Sequence, residues 1–434
     1  MHPVTRLRSD QITMAATIQH PKSATTVFLD QPPSCLEFCP EAQDHFIVGT
    51  YLLSENKTED GEIQQSKTGS IQLWKLDPVN KALSQVQKVA VPYAVFDLHF
   101  HPKHKNLFAI ASSVGSVSLF EVSANISAGD DASTTSPSIT QLWTKQVHED
   151  PSIPALFLAW APENWFPRSP ADGFAVTFSD SRTAVFGTEG DLRDEDCLVE
   201  WGTFEAKQMI EVWFVALSTA STASEEQNPS KIPFMFTGND FGSLHTRRLD
   251  NTAALDDPDE HISPMLIEHD DRARHHTAGV TAILPLGVPL FDDAPVLLTG
   301  SYDEGLRVYY ATRRGEVLAE QCLDGGVWRL QLLNTTQVPE SADPLNVTEW
   351  SFLVLASCMH AGTRLVRVTC TQQDGTPEWV IEVLAKFTEH ESMNYASGVW
   401  EGTKVGRGES GSGELLCVSS SFYDRRLCVW TVDV

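Results

Sequence analysis

TGSYDEGLRVYYATR, Thr299 to Arg313, runs as a short apolar strand, a small polar turn and a second strand. The same phrase recurs along the chain, its first strands starting at Phe46, Phe108, Phe174, Phe234, Val296, Phe352 and Leu415, 56 to 66 residues apart. A near-constant period marks one repeated unit. Ahead of each pair lies another apolar stretch, among them VFDLHFHP from Val95, LFLAWAP from Leu156 and GVWRLQLL from Gly326. Each unit therefore offers three or four strands. Strand-sized runs rich in Val, Phe and Leu, punctuated by Gly, Asp and Ser and nearly free of helical periodicity, predict an all-β protein. Repetition of four-stranded sheets around an axis is a propeller, here with seven blades.

The period exceeds the ~40–45 residues of a WD repeat. The excess falls in polar inserts such as SENKTEDGEIQQSKTG (Ser54 to Gly69) and SANISAGDDASTTSPS (Ser123 to Ser138), which a rigid scaffold tolerates as loops. The last unit stops at Trp430 to Val434, after its third strand, so its outer strand must come from elsewhere. ATTVFLD, Ala24 to Asp30, is the expected donor. Closure of this kind removes an exposed edge. The expected organisation is a flexible tail over 1–20 and a single seven-bladed WD-repeat propeller over 21–434.

Composition sets limits. At 434 residues and 41% hydrophobic content the chain can bury a large core. No run approaches the ~20 apolar residues of a membrane span, and MHPVTRLRSDQITMAATIQH lacks the apolar centre of a secretory signal. Eight cysteines without paired spacing are expected as reduced core residues of a cytoplasmic protein. A formal charge of −27 argues against nucleic acid, whose phosphates demand clustered Lys and Arg. A basic protein partner fits that charge, as does a merely solvated acidic surface. There is no G-x-S-x-G elbow, no H-E-x-x-H and no phosphate loop, and HESMN at His390 lacks the second His of a zincin. A catalytic site would have to be assembled from separate blades. No metal and no cofactor is expected, and the chain is expected to be a monomer without a membrane partner.

In an antiparallel meander the turn between strands two and three and the entry into the next blade emerge at one end. Several unusual residues are expected there: Glu211, Trp213, Asp240, Tyr302, Glu304, Trp328, Arg329, Cys358, His360, Tyr395, Trp400 and Tyr423. In the fifth unit His276, Ser301, Asp303 and Tyr309 stand where WD repeats keep a buried His, Ser, Asp and Trp lock, and a structural role is expected for them. In the sixth, alignment of SCMHAG with GSYDEG puts His360 in the place of the locking Asp. It is either a general base at a channel mouth or a hydrogen-bonded turn residue. Cys358 is either a nucleophile activated by His360 or a buried inert thiol. Asp240 and Glu211 either orient a histidine or a cation, or are solvated acids on a rim.

TGSYDEGLRVYYATR, GGVWRLQL, ASCMHAG, HESMNYASGVW and SFYDRRLCVW, in that order, resemble the diphthine methyltransferase (diphthine methylesterase) family, the WD-repeat proteins of diphthamide biosynthesis. The match is good across Phe204 to Val434 and weaker before it. The departures, Tyr309-Tyr310 for the usual Trp-Asp and the lost Asp of FTGNDFGS, bear on blade locking. The resemblance implies an ester hydrolase that removes the methyl ester of methylated diphthine on translation elongation factor two, with the diphthamide-forming amidase as a further candidate partner. Ester hydrolysis needs an activated water or nucleophile and donors for the oxyanion, roles that His360 and either Arg329 or the N–H groups of Gly325-Gly326 can fill. The implied substrate also carries a trimethylammonium group, which aromatic faces recognise. Trp213, Tyr302, Trp328, Tyr395, Trp400 and Tyr423 are the expected faces, each otherwise ordinary core. The competing reading is a non-enzymatic WD-repeat scaffold in trafficking or ubiquitin ligation.

Overall fold

The computed structural model describes residues 17–57, 63–124, 137–166, 172–188, 190–221, 231–249, 265–290, 294–340, 343–373, 376–402 and 413–434. Their strands form seven antiparallel sheets around an axis, each with its first strand innermost. Blade one contains Pro33–Phe38, His45–Thr50, Ile63–Asp77 and Ala82–Val91. The inner strands of blades two to six are Val95–Phe100, Ala155–Trp160, Val212–Ser221, Val280–Pro285 and Val327–Glu340. Blade seven is Ala396–Val399, Glu414–Ser421 and Arg426–Asp433, completed by Ser23–Phe28 from the other end of the chain. This is the closure expected from the sequence, with Thr26 opposite Cys428 and Phe28 opposite Arg426.

The middle strands are continuously buried because each sheet is covered on both faces by its neighbours. Leu297, Leu298, Phe352, Val354, Val418 and Val429 are each fully enclosed. Among the described residues no helix is long and apolar enough to cross a membrane.

Two expectations change. The insert after Ser54 is partly structured: Leu52–Lys57 pairs with the start of Ile63–Asp77 as a hairpin grown out of blade one. Most of the second insert, 125–136, lies outside the described residues, as do residues 1–16 of the expected tail. Gln19, within that tail's span, sits on the outer edge of blade six, its N–H donating to Leu384 O at 2.9 Å and its carbonyl accepting from Lys386 N at 2.9 Å.

The expected lock of blade five is not one connected network. His276 Nε2 meets Thr299 Oγ1 at 3.0 Å, Ser301 Oγ donates to Ala278 O, and Tyr309 OH donates to Asp271 Oδ2 at 3.1 Å. A phenol carries its donor at the far tip of the ring, where an indole N–H would not reach. The connected lock appears instead in blade seven. There Ser419 Oγ accepts from Trp430 Nε1 at 3.0 Å and lies 2.8 Å from His390 Nε2. The histidine of HESMN is therefore a buried structural residue.

Candidate active site at the channel mouth

The inner strands create the site by a shared irregularity. Six of them skip one residue in their pairing, at Ser34, Phe96, Leu156, Trp213, Thr281 and Trp328. A bulge re-aims the side chain it carries. In blades four and six that side chain is an indole, and both rings come to the end of the channel where the blade entries and inner turns lie. Trp213, Tyr302 and Trp328 form a closed triangle with centroids 5.7 to 6.0 Å apart. Tyr395 extends it at 5.0 Å from Trp328, and Phe422 follows at 5.5 Å from Tyr395. Tyr423 contacts Phe422 and is 70% exposed.

Tyr302 is held between two glycines. A Cβ on Gly279 would come 2.9 Å from the Tyr302 ring, and one on Gly326 would come 3.3 Å from Tyr302 Cα. Burial, with Tyr395 and Asp240 nearby, raises the Tyr302 phenol well above its usual range. Asp240 Oδ1 accepts from Trp213 Nε1 at 2.7 Å, and Asp240 N donates to Glu211 O at 2.9 Å. The two acids thus border the aromatic cluster, and among the described residues neither is hydrogen-bonded or ion-paired to a histidine.

His360 is exposed on its turn, with Nε2 3.9 Å from Glu304 Oε1. Cys358, two residues earlier, is fully buried, and burial pushes its thiol up to about 12. Of the eight cysteines expected in the core, six are buried, but Cys197 is half-buried and Cys322 is exposed, at this end of the channel. The Cys322 Sγ lies 3.8 Å from Oε2 of the same Glu304. Trp400 is not with the others. The strand Ala396–Val399 carries it across the sheet to the opposite end, where its Nε1 donates to Asp44 Oδ1 at 2.9 Å.

Below the mouth the channel holds a charge group of which the sequence singled out only Arg329. Arg329, Asp97, Phe157 and Phe214 occupy the position just after the bulge on four inner strands, so they meet in one layer. The Arg329 guanidinium lies 4.6 Å from the Trp328 ring and 4.8 Å from that of Phe157, with Nη2 3.5 Å from Asp97 Oδ1. One layer down, His99 Nε2 is 2.9 Å from Asp97 Oδ2 and Nδ1 is 3.3 Å from Glu37 Oε2. Burial pushes Asp97 up, yet His99 and Arg329 hold its carboxyl below the usual range. Burial opposes the charge on His99, but Asp97, reinforced by Glu37, overrides it and pushes the imidazole up to about 10. The group lines a cavity of about 290 Å³ whose wall also includes Tyr395, Ser357 and Ser397. Asp97 and His99 are two apart on one strand and so share its channel face, the signal that could have found them in VFDLHFHP.

This pairing has a pH signature. A histidine of folded value about 10 and unfolded value ~6.5 stabilises the fold fully below the lower value. That contribution fades as pH rises and is gone above the higher value. The melting-temperature gap between wild type and His99→Gln should therefore close as pH rises from 6 to 10.5. A gap independent of pH would contradict the ion pairing.

Among the described residues no group of three or more His, Cys, Asp or Glu side chains is arranged to hold a metal ion. No protein-family model matches the chain. Of solved structures, Sqt1 of Saccharomyces cerevisiae superposes with a TM-score of 0.51 at 11% identity, over 95% of this chain and 100% of that one, a likeness of fold alone. Of curated proteins, the diphthine methyltransferase of Schizosaccharomyces pombe is 29% identical over 199 residues, 43% of this chain and 50% of that protein. This chain is thus a seven-bladed WD-repeat propeller similar to diphthine methyltransferase, spanning about half the length of the curated relative it matches.

Proposed function

We propose that this chain hydrolyses the methyl ester of methylated diphthine on translation elongation factor two, and so works in the cytoplasm, as a monomer, in diphthamide biosynthesis. The observation that carries the reading is the aromatic cluster of Trp213, Tyr302, Trp328 and Tyr395, bordered by Asp240, at the mouth of a closed channel. Quaternary ammonium groups favour such faces by ~0.5–2 kcal/mol each. The triangle is closed by its own ring contacts, so the cation sits on its outward face, where Asp240 and Glu211 add attraction. The similarity to diphthine methyltransferase supports the same substrate.

In the reaction a water oxygen attacks the ester carbonyl carbon and gives up a proton to a base. The carbonyl oxygen takes the charge, the C–O bond to methoxide breaks, and methanol leaves with a proton. His360 is assigned as the base and Glu304 as the group that orients it. Their 3.9 Å separation is loose in the way of a site without substrate. A thiol pushed up to about 12 is a poor nucleophile at neutral pH, which favours the water route over Cys358. The carboxylate product is what an amidase consumes, which makes the diphthamide-forming amidase a fitting second partner.

The cage is tested by Trp328→Ala and Tyr302→Ala. Each is expected to raise KM for the modified elongation factor about 2- to 30-fold, with a smaller change in kcat. Unchanged KM in both variants would contradict it.

A further inference from the structure

Blade one carries an addition that the site at the mouth does not use. Its two middle strands run past the blade. The pairing of His45–Thr50 with Ile63–Asp77, Gly49 opposite Ile71, continues in the same register to Leu52 opposite Thr68 and Lys57 opposite Ile63. At ~3.3 Å per residue these six paired positions form an arm about 20 Å long. Tyr51, at the root of the arm, meets Phe422 of the mouth at 5.9 Å and Phe96, on the blade-two bulge, at 5.5 Å. Strand residues alternate between faces, so Leu53, Glu55 and Lys57 lie on the Tyr51 side, opposite Lys67, Gln65 and Ile63. On that face Leu53 is 45% and Ile63 59% exposed, and between them Gln65 Nε2 donates to Glu55 Oε1 at 2.8 Å. Among the described residues no further strand flanks either edge of the arm, since the outer strand Ala82–Val91 begins its pairing only at Gly69. A two-stranded ribbon is marginal in water by itself and leaves rows of unpaired backbone groups. The ladder of blade one extends this one outward, and the chain covers neither of its edges.

We propose that this arm docks the protein that presents the modified side chain, by packing an apolar patch of that protein against the face of Leu53 and Ile63. The identity of the partner rests on the proposed function; the arm itself is read from blade one alone. Continuity argues for this occupant. Through Tyr51 and Phe422 the arm's face joins the ring cluster, so a protein surface that delivers a side chain to the mouth passes beside the arm. Charge argues for it too. The mouth is bordered by Glu211, Asp240 and Glu304 on a chain of formal charge −27, which opposes a second copy at this end and favours a basic partner surface. The surface that fits is therefore basic, with an aliphatic patch next to the modified residue.

Calorimetry of the purified full chain with unmodified elongation factor two, which has no trimethylammonium group to offer the mouth, isolates the arm. The double variant Leu53→Ser, Ile63→Ser is expected to bind about 10-fold more weakly, the scale of losing anchor side chains from an interface. Its melting midpoint should stay at the wild-type value, because both side chains are exposed. With the modified factor, KM should rise about 10-fold at unchanged kcat, while hydrolysis of the small ester glycine betaine methyl ester should not change. Hydrogen exchange on the wild-type complex should slow across Leu52–Lys57 and Ile63–Thr68, a readout that needs no variant. Wild-type affinity in the folded double variant, an arm without protection in the complex, or a wild-type chain that does not bind the unmodified factor would each overturn the proposal. A wild-type dimer that the double variant dissolves would put a second copy on the arm and overturn it as well. Arm-dependent binding without turnover of any ester would remove the esterase and keep the arm; turnover with a KM indifferent to the arm would do the opposite.

Discussion

A chain shortened to begin at Leu29 is expected to lose much of its stability and to associate. The missing segment supplies the outer strand of blade seven, paired at five positions from Ser23 opposite Trp430 to Phe28 opposite Arg426. It also carries Gln19, whose side chain donates to Asp433 O and accepts from Asp433 N while its backbone pairs with blade six. At ~0.5–1.5 kcal/mol for each hydrogen bond lost, the ladder alone amounts to several kcal/mol of a total that is ordinarily about 5–15. The exposed edge Arg426–Asp433 is then a template for pairing with a second chain. Thermal unfolding should show a markedly lower midpoint, and size-exclusion chromatography a concentration-dependent larger species. An unchanged midpoint and a monomeric profile would mean that the terminal strand does not hold the ring closed.

The second large effect is on catalysis. His360→Ala should fold with wild-type stability, because the side chain is exposed and its ion-pair contact is long. Its kcat for ester hydrolysis should fall ~10²–10⁴-fold, the range of one positioned acid–base group. KM should change little, since His360 makes none of the ring contacts that form the cluster holding the cation. Cys358→Ala is the paired control: a fully buried thiol that makes only a long contact to Ala356 O, at 3.7 Å, should leave kcat near wild type. Full activity in His360→Ala would remove the base assignment without touching the esterase.

The fold was legible because its determinants are local and repeated. Each blade announces itself by an apolar strand, a polar turn and a second strand, and the missing fourth strand of the last unit pointed to the chain's beginning. The mouth was legible for the same reason, since the meander brings turns and blade entries to one end and six of the aromatic and acidic side chains there are joined in ring or hydrogen-bond contact. Trp400 was misplaced because it follows a strand rather than precedes one. What stayed hidden depends on register between distant blades. Asp97 and Arg329 are 3.5 Å apart in space, and only a superposition of the inner strands at their bulges puts them in one layer. HESMN lacks the second His of a zincin, and the burial of His390 against Ser419 gives it a structural role that the local sequence did not announce. Tyr309 and His276 departed from the repeat pattern because a phenol reaches a different acceptor than an indole.

The most direct measurement is the intact mass of elongation factor two carrying methyl-esterified diphthine, before and after incubation with the purified chain. The account predicts a loss corresponding to one ester methyl together with release of methanol. An unchanged mass, with the two proteins tightly bound, would contradict the esterase and leave a propeller that gathers proteins without transforming them.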